Sequence, residues 1–340
     1  MRILITRTDR MGDVILSLPA VRQVRRACPD AYIAFMIAGE NRALAGPGTD
    51  VDEVLAYDKK GEHKGVLRNL SFIREIRKRK FDLAIALHPS NRTHLILFAS
   101  GIRRRVGYGR KLGWLLTERV PHLKQMGEKH EVDYNLDVIS AAGFDTRDAD
   151  REPHVPVSAR ALDKVKKLLS SSGISGDVMA IHAGSSCPSK KWPIERFAAV
   201  ADILSGRRGV DIVMVGDGSC KGDAAQLVKL TEARVLDLTG ELDLENLAAF
   251  FSLCRLVISN DSGPAHLAAA VGTPVVVIFG RDDPGLSPSR WAPVSRKAMI
   301  LHSPAGCVPC LAHNCVSGFR CLANISVQDV VEASEQLLFR

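Results

Sequence analysis

The chain reads as an α/β protein of two Rossmann-like domains, each a parallel sheet covered on both faces by helices. Three observations predict this. Short apolar runs alternate with longer segments of helical period. The alternation stops at a polar stretch, residues 145–156, which carries Pro153 and Pro156, and then restarts. At 340 residues the chain is also too long for one small core. The expected domains are 1–155 and 156–340.

In the front half, residues 3–6 form the first strand, and the amphipathic segment 13–27 forms a helix entered through the Gly12-Asp13 turn. Strands are expected at 31–37, 54–56 and 83–87, with a helix over 67–80. In the back half a helix over 159–170 comes first. Strands at 178–181, 211–215, 256–259 and 274–279 then alternate with helices at 194–204, 223–230, 244–253 and 264–271. Sheets of this kind bind ligands beyond the carboxyl ends of their strands, so the loops there hold the candidate site, in one cleft faced by both domains.

The chain is 46% hydrophobic and 25% charged, an ordinary globular composition that excludes a disordered or collagen-like protein. Aromatic residues are 5%, too few for the stacking platforms of a single-stranded nucleic-acid binder, and no nucleic-acid partner is expected. The 46 Lys and Arg against 38 Asp and Glu leave a charge of +8, which favours anionic partners. The apolar run at the amino terminus is too short for a signal-peptide core. The longest apolar stretch, 267–280, is broken by Gly272, Thr273 and Pro274, short of the roughly 20 residues a membrane crossing needs. A cytoplasmic location is expected, with room for contact at a membrane surface. Of eight cysteines, four lie between 307 and 321, and without an export signal no general disulfide framework is expected.

The segment Asn260-Asp-Ser-Gly-Pro-Ala-His-Leu follows an apolar strand and starts a helix. A helix starting at the carboxyl edge of a parallel sheet turns amide N–H groups and partial positive charge toward a ligand, which suits a diphosphate. Asp261 beside such a site points to sugar hydroxyls as its partners, although plain helix capping by Asp261 or Ser262 needs no ligand. His266 reads either as a ligand contact or as a hydrogen-bonded buried histidine. In Ser185-Ser-Cys-Pro-Ser-Lys-Lys-Trp-Pro193, hydroxyls and an ammonium at a strand end suit a phosphate. Lys190 is the lysine chosen for it, Lys191 the solvated one, and Trp192-Pro193 reads as structural.

The loop Gly216-Asp-Gly-Ser-Cys-Lys-Gly222 departs from a dinucleotide fingerprint, because its last glycine comes one residue late. It is either a nucleotide contact or a tight turn. In Asp9-Arg-Met-Gly-Asp13, after the first strand, Asp13 is a candidate general base toward an acceptor hydroxyl or, equally, a helix cap. Basic clusters at 74–80 and 103–110 suit an anionic acceptor, the first also reading as a solvated helix face. Cys307, Cys310, Cys315 and Cys321 suit a structural tetrahedral zinc, or else are free thiols or a local disulfide.

Together with the opening Ile-Thr-Arg-x-Asp-Arg-Met-Gly-Asp-Val, Leu18-Pro19-Ala20 and Leu238-Thr-Gly240, these segments resemble glycosyltransferase family 9, the heptosyltransferases of lipopolysaccharide core assembly. The resemblance spans nearly the whole chain. It implies a GT-B fold and inverting transfer of heptose from ADP-heptose to a Kdo or heptose hydroxyl of the lipid A core, without a catalytic metal. A lipid-anchored acceptor would make peripheral contact with the cytoplasmic face of the inner membrane useful. Carried over by position, Asp13 becomes the general base, and Lys190 with Ser185 and Ser186 holds the diphosphate. Asp261 binds donor hydroxyls, and the amides of Ser262 and Gly263 help hold the phosphates. Relatives place a glutamate near the ribose after the glycine-rich turn; here the nearest acidic residue is Asp223. A related transferase using another nucleotide sugar, or a nucleotide-binding protein without catalysis, is the alternative.

Overall fold

Runs such as Arg-Ile-Leu-Ile-Thr-Arg and Val-Val-Val-Ile-Phe are apolar on both faces, as strands buried in parallel sheets must be. The computed structural model describes residues 1–46, 48–59, 61–307 and 309–338. The chain divides into two compact units, Met1–Pro156 and Val157–Arg340.

The first unit runs β1 (Arg2–Arg7), α1 (Met11–Ile15), α2 (Leu18–Ala27), β2 (Tyr32–Ile37), β3 (Glu53–Ala56), α3 (Val66–Lys78), β4 (Leu83–Ala86), α4 (Asn91–Ala99), β5 (Arg104–Tyr108), β6 (Glu118–Val120) and α5 (Glu131–Ala141). Its sheet has six parallel strands in the order β3-β2-β1-β4-β5-β6. On one face, Phe72 and Ile76 of α3 and Ile96 and Leu97 of α4 pack over Leu4, Ala34, Met36 and Ala86 in one cluster. Each of the Leu, Ile, Phe and Met side chains among them contributes roughly 1.5–3 kcal/mol by leaving water.

The second unit runs α6 (Ala159–Ser171), β7 (Val178–His182), α7 (Ile194–Arg208), β8 (Asp211–Met214), α8 (Lys221–Leu230), β9 (Val235–Asp237), α9 (Leu244–Leu253), β10 (Leu256–Asn260), α10 (Gly263–Ala270), β11 (Val275–Phe279), α11 (Pro288–Trp291), β12 (Ala298–His302), α12 (Arg320–Ala323) and α13 (Val327–Leu338). The six parallel strands lie in the order β12-β11-β10-β7-β8-β9, the same winding as the first sheet. Phe197, Leu204, Leu227, Val330 and Leu337 of α7, α8 and α13 cover Ile181, Met214, Ile258 and Ile278.

One expected element is corrected. The helix anticipated over 13–27 is two helices, interrupted at Leu16 and Ser17. Pro19 has no N–H to give to the carbonyl four residues earlier, so the helix restarts around it. The Ser17 hydroxyl donates to the Asp13 carbonyl at 2.8 Å across the break.

Candidate active site

A doubly wound sheet binds ligands where its strand order reverses, which in the second unit is between β7 and β10. The loops leaving those strands carry the segments singled out in the sequence. After β7 the chain passes Ser185 and Ser186 and makes a short turn, Pro188–Lys190. After β10 come Asp261, Ser262 and the start of α10 at Gly263.

Asn260 joins the two loops. Buried at the end of β10, it donates from Nδ2 to the Ala183 carbonyl at 2.7 Å and accepts from the Trp192 amide at 3.1 Å. Trp192 is fully buried against Phe197 and donates from its indole to the Ile325 carbonyl at 3.1 Å, the structural part expected of it. Gly280, just past β11, is required: a Cβ there would lie 2.5 Å from the Ser189 carbonyl oxygen. The turn bearing Lys190 can therefore settle over the sheet edge.

Lys190 points inward, its ammonium 2.7 Å from Asp261 Oδ2. Arg281 donates to the same oxygen at 2.8 Å, so one buried carboxylate is shared by two cations. Such a group is stable only while it stays paired. Lys191 turns outward and pairs with Asp223 of α8 at 2.7 Å. That pair occupies the carboxylate nearest to the ribose position suggested by the resemblance.

Neither Asp261 nor the Ser262 side chain caps α10. Ser262 is the N-cap residue by backbone position, but its hydroxyl turns to Ser259 Oγ at 3.0 Å and His182 Nδ1 at 3.2 Å. Burial pushes the His182 imidazole down to about 4, so it is neutral at pH 7. His266 is buried within α10. The Ser185 hydroxyl donates to the Cys187 carbonyl at 2.7 Å and accepts from the Cys187 amide at 3.2 Å, which shapes the loop. In the glycine-rich loop, Gly216 is pressed by Cys220, as is Gly184 after β7; the sulfur would lie 2.6 and 2.5 Å from a Cβ added at each, while Gly218 and Gly222 have open space. The close packing of Cys220 is what asks for Gly216, which favours the tight-turn reading.

In the first unit the reversal lies between β1 and β4, and a second charged cluster sits there. Arg7, fully buried at the end of β1, donates to Asp13 at 2.5 Å, Asp9 at 2.8 Å and Glu131 at 2.9 Å. Lys124 adds a 2.6 Å bond to Glu131, and His88 lies 3.3 Å from Asp9. Asp13 does not cap α1, whose N-cap is Arg10; it sits in the first turn with its carboxylate on Arg7. Burial raises the Asp13 pKa above that of an ordinary carboxylate, against the pull of Arg7. A raised, oriented carboxylate suits a general base.

All eight cysteines are free thiols, so Cys307, Cys310, Cys315 and Cys321 form no local disulfide. These four line one recess, yet among the described residues no three His, Cys, Asp or Glu side chains are gathered as ligands, so the zinc expectation gains no support. Sequence reasoning missed Arg7, Asn260 as a staple, and Arg281. The one available signal for Arg281 was its place just after an apolar strand, where ligand-facing loops begin.

Twin doubly wound sheets with polar clusters at their reversals, the second carrying an ammonium and an open helix start, are the α/β architecture of the GT-B fold. The family model described as Glycosyltransferase family 9 (heptosyltransferase) matches residues 69–319, and the chain belongs to that family. It is a glycosyltransferase. It is similar to lipopolysaccharide heptosyltransferase 3 of Escherichia coli (strain K12), 24% identical over 336 residues, covering 96% of this chain and 95% of the relative. A solved glycosyl transferase family 9 protein from Veillonella parvula DSM 2008 superposes with a TM-score of 0.89 at 27% identity, over 99% of this chain and 97% of its own. The E. coli ADP-heptose lps heptosyltransferase II superposes at 0.82 and 22% identity over 100% and 99%, a likeness of fold alone.

Proposed function

We propose that the enzyme moves a heptose from ADP-heptose onto a Kdo or heptose hydroxyl of the lipopolysaccharide inner core, with inversion at the anomeric carbon. In one displacement the acceptor oxygen bonds to the anomeric carbon while the bond from that carbon to the β-phosphate oxygen breaks and ADP leaves with the electron pair. Asp13 takes the acceptor's proton, held in place by Arg7. Charge grows on the departing diphosphate, where Lys190, the amides of Ser262 and Gly263 and the Ser186 hydroxyl meet it. Lys190 and Arg281 occupy Asp261 Oδ2, leaving Oδ1 to accept donor hydroxyls.

The observation that carries this reading is the inward Lys190, braced by Asp261 beside a helix start whose N-cap side chain is turned away. His266 on α10 and Asp223 on α8 flank the donor, and release of Asp223 from Lys191 frees it for the ribose. No catalytic metal takes part: the cationic side chain and the amides do that work. The acceptor is lipid-linked, so catalysis takes place at the cytoplasmic face of the inner membrane through peripheral contact.

A related transferase with a different nucleotide is the second reading, since Asp223, held by Lys191, is placed at the ribose that ADP, UDP and GDP share, and none of the residues assigned above reads the base. Incubation with ADP-heptose, UDP- or GDP-sugars and core-truncated lipopolysaccharide separates the two. ADP release that depends on acceptor supports the first. Release of another nucleotide supports the second, and nucleotide binding without turnover removes both.

A further inference from the structure

We propose that the outer faces of α3 and α4, with the loop that carries Trp114, form a surface that docks on an anionic lipid bilayer. The proposal deepens the function above by naming the face a lipid-linked acceptor would need, and rests on that reading for its purpose. α3 and α4 share one core cluster, so they lie side by side on one sheet face. Their inward residues are buried, and on their outward sides large apolar side chains stand among the exposed Arg68, Arg74 and Glu75 of α3 and Arg92 of α4. Val66 is 76% and Leu67 81% exposed, with Leu70 beside them one turn on. On α4, Leu95 and Phe98, three residues apart, are each about half exposed. Trp114 is 68% exposed on a turn tied to α4 through the Leu112 amide, which donates to Asn91 Oδ1 at 3.1 Å. Such grouping of exposed apolar side chains is unusual in a surface that meets only water.

Charge chooses the occupant. From residue 91 to residue 117 the chain has six Arg and Lys and no Asp or Glu, and Arg92, Arg103, Arg110 and Lys111 are exposed. Lys64 and Arg68 extend this around the start of α3. The Arg105 guanidinium lies over the Phe98 ring, 5.4 Å from its centre, mixing cation and aromatic. A face with this much like charge repels its own image, which disfavours a symmetric dimer through it. An anionic bilayer meets both halves of the pattern: its headgroups attract the cations, and Trp, Phe and Leu enter the boundary between headgroups and acyl chains.

The experiment uses the full chain and vesicles of phosphatidylcholine, with or without phosphatidylglycerol, and no acceptor. Wild type is expected to co-sediment with the anionic vesicles and not with the neutral ones. Its Trp emission should shift to the blue, a change that Trp114→Phe removes. Leu67→Asp, Trp114→Asp and Lys111→Glu should each lower the bound fraction about tenfold while melting as wild type does. Turnover on a water-soluble deacylated acceptor should be unchanged in all of them. Wild type that ignores anionic vesicles, or folded variants that bind them equally well, would overturn the proposal. Binding to RNA in place of vesicles would overturn it too. Absent turnover on the soluble acceptor, with vesicle binding intact, would instead strike the assigned reaction and leave the surface standing.

Discussion

The ammonium of Lys190 and the carboxylate of Asp261 meet at 2.7 Å, although their residues come from different loops of the second sheet. The contact ties the two loops together where the donor diphosphate is proposed to bind. Lys190→Ala is expected to weaken donor binding at least tenfold and to lower turnover as well, because charge on the leaving group loses its nearest cation. Isothermal titration with ADP and steady-state kinetics check this; unchanged ADP affinity would remove Lys190 from the diphosphate.

Arg7 and Asp13 give a prediction about pH. As the proposed base, Asp13 must be ionised to accept a proton, so kcat/KM is expected to rise with pH through its pKa, an acid limb that burial places above the usual carboxylate range. The positive charge of Arg7 lowers the Asp13 pKa. In Arg7→Gln the limb should therefore move to higher pH, and Arg7→Lys should restore part of the shift. Asp13→Asn should reduce turnover by about 10²–10⁴ with donor affinity nearly intact. A pH–rate profile unmoved by Arg7→Gln would separate the pair from catalysis.

Asn260 offers a test of the loop staple. Asn260→Ala leaves the Ala183 carbonyl and the Trp192 amide without their partner, both in buried surroundings. A loss of about 2–4 kcal/mol in urea unfolding is expected, together with weaker ADP binding. Full stability in the variant would show that other bonds hold the loops.

His182 makes stability depend on pH. Its folded pKa, about 4, is depressed from 6.5, so the unfolded chain binds the proton more readily. The stabilisation is whole above pH 6.5 and is lost as pH falls from there through 4, a contribution on the order of 3 kcal/mol. Chemical denaturation between pH 7 and pH 4 measures it. In His182→Gln the slope in that window should flatten; an identical slope would assign it to other groups.

The strands β1, β7, β10 and β11 were legible in the sequence because burial on both faces makes them continuous apolar runs. α4 was not, because Leu95 and Phe98 leave its outward side as apolar as its inward side and erase the helical period. α5 hid for the opposite reason: it buries the polar residues Glu131 and Asn135. β6 and β9, three residues each, are too short to carry a period. In the site, Lys190 and Asp261 could be picked from their local segments, but their contact could not. Arg7 and Arg281 were opaque because Glu131 lies 124 residues from Arg7, and Asp261 lies 20 from Arg281, across a helix and a strand. Only the folded sheet edge brings them together.

The carboxylate shared by Lys190 and Arg281 gives the candidate site an internal counter-ion. A free sulfate or inorganic phosphate is expected to gain little there, because it must compete with Asp261 for cations that already have a counter-ion. A nucleotide sugar brings the diphosphate and the hydroxyls in one molecule, so it can draw on the ammonium while giving Asp261 new donors. On the proposed donor role, this three-residue contact would supply discrimination against the abundant small anions of a cell. It should show as an ADP affinity that millimolar sulfate barely disturbs, and as a marked sulfate sensitivity once Asp261 is replaced by Asn.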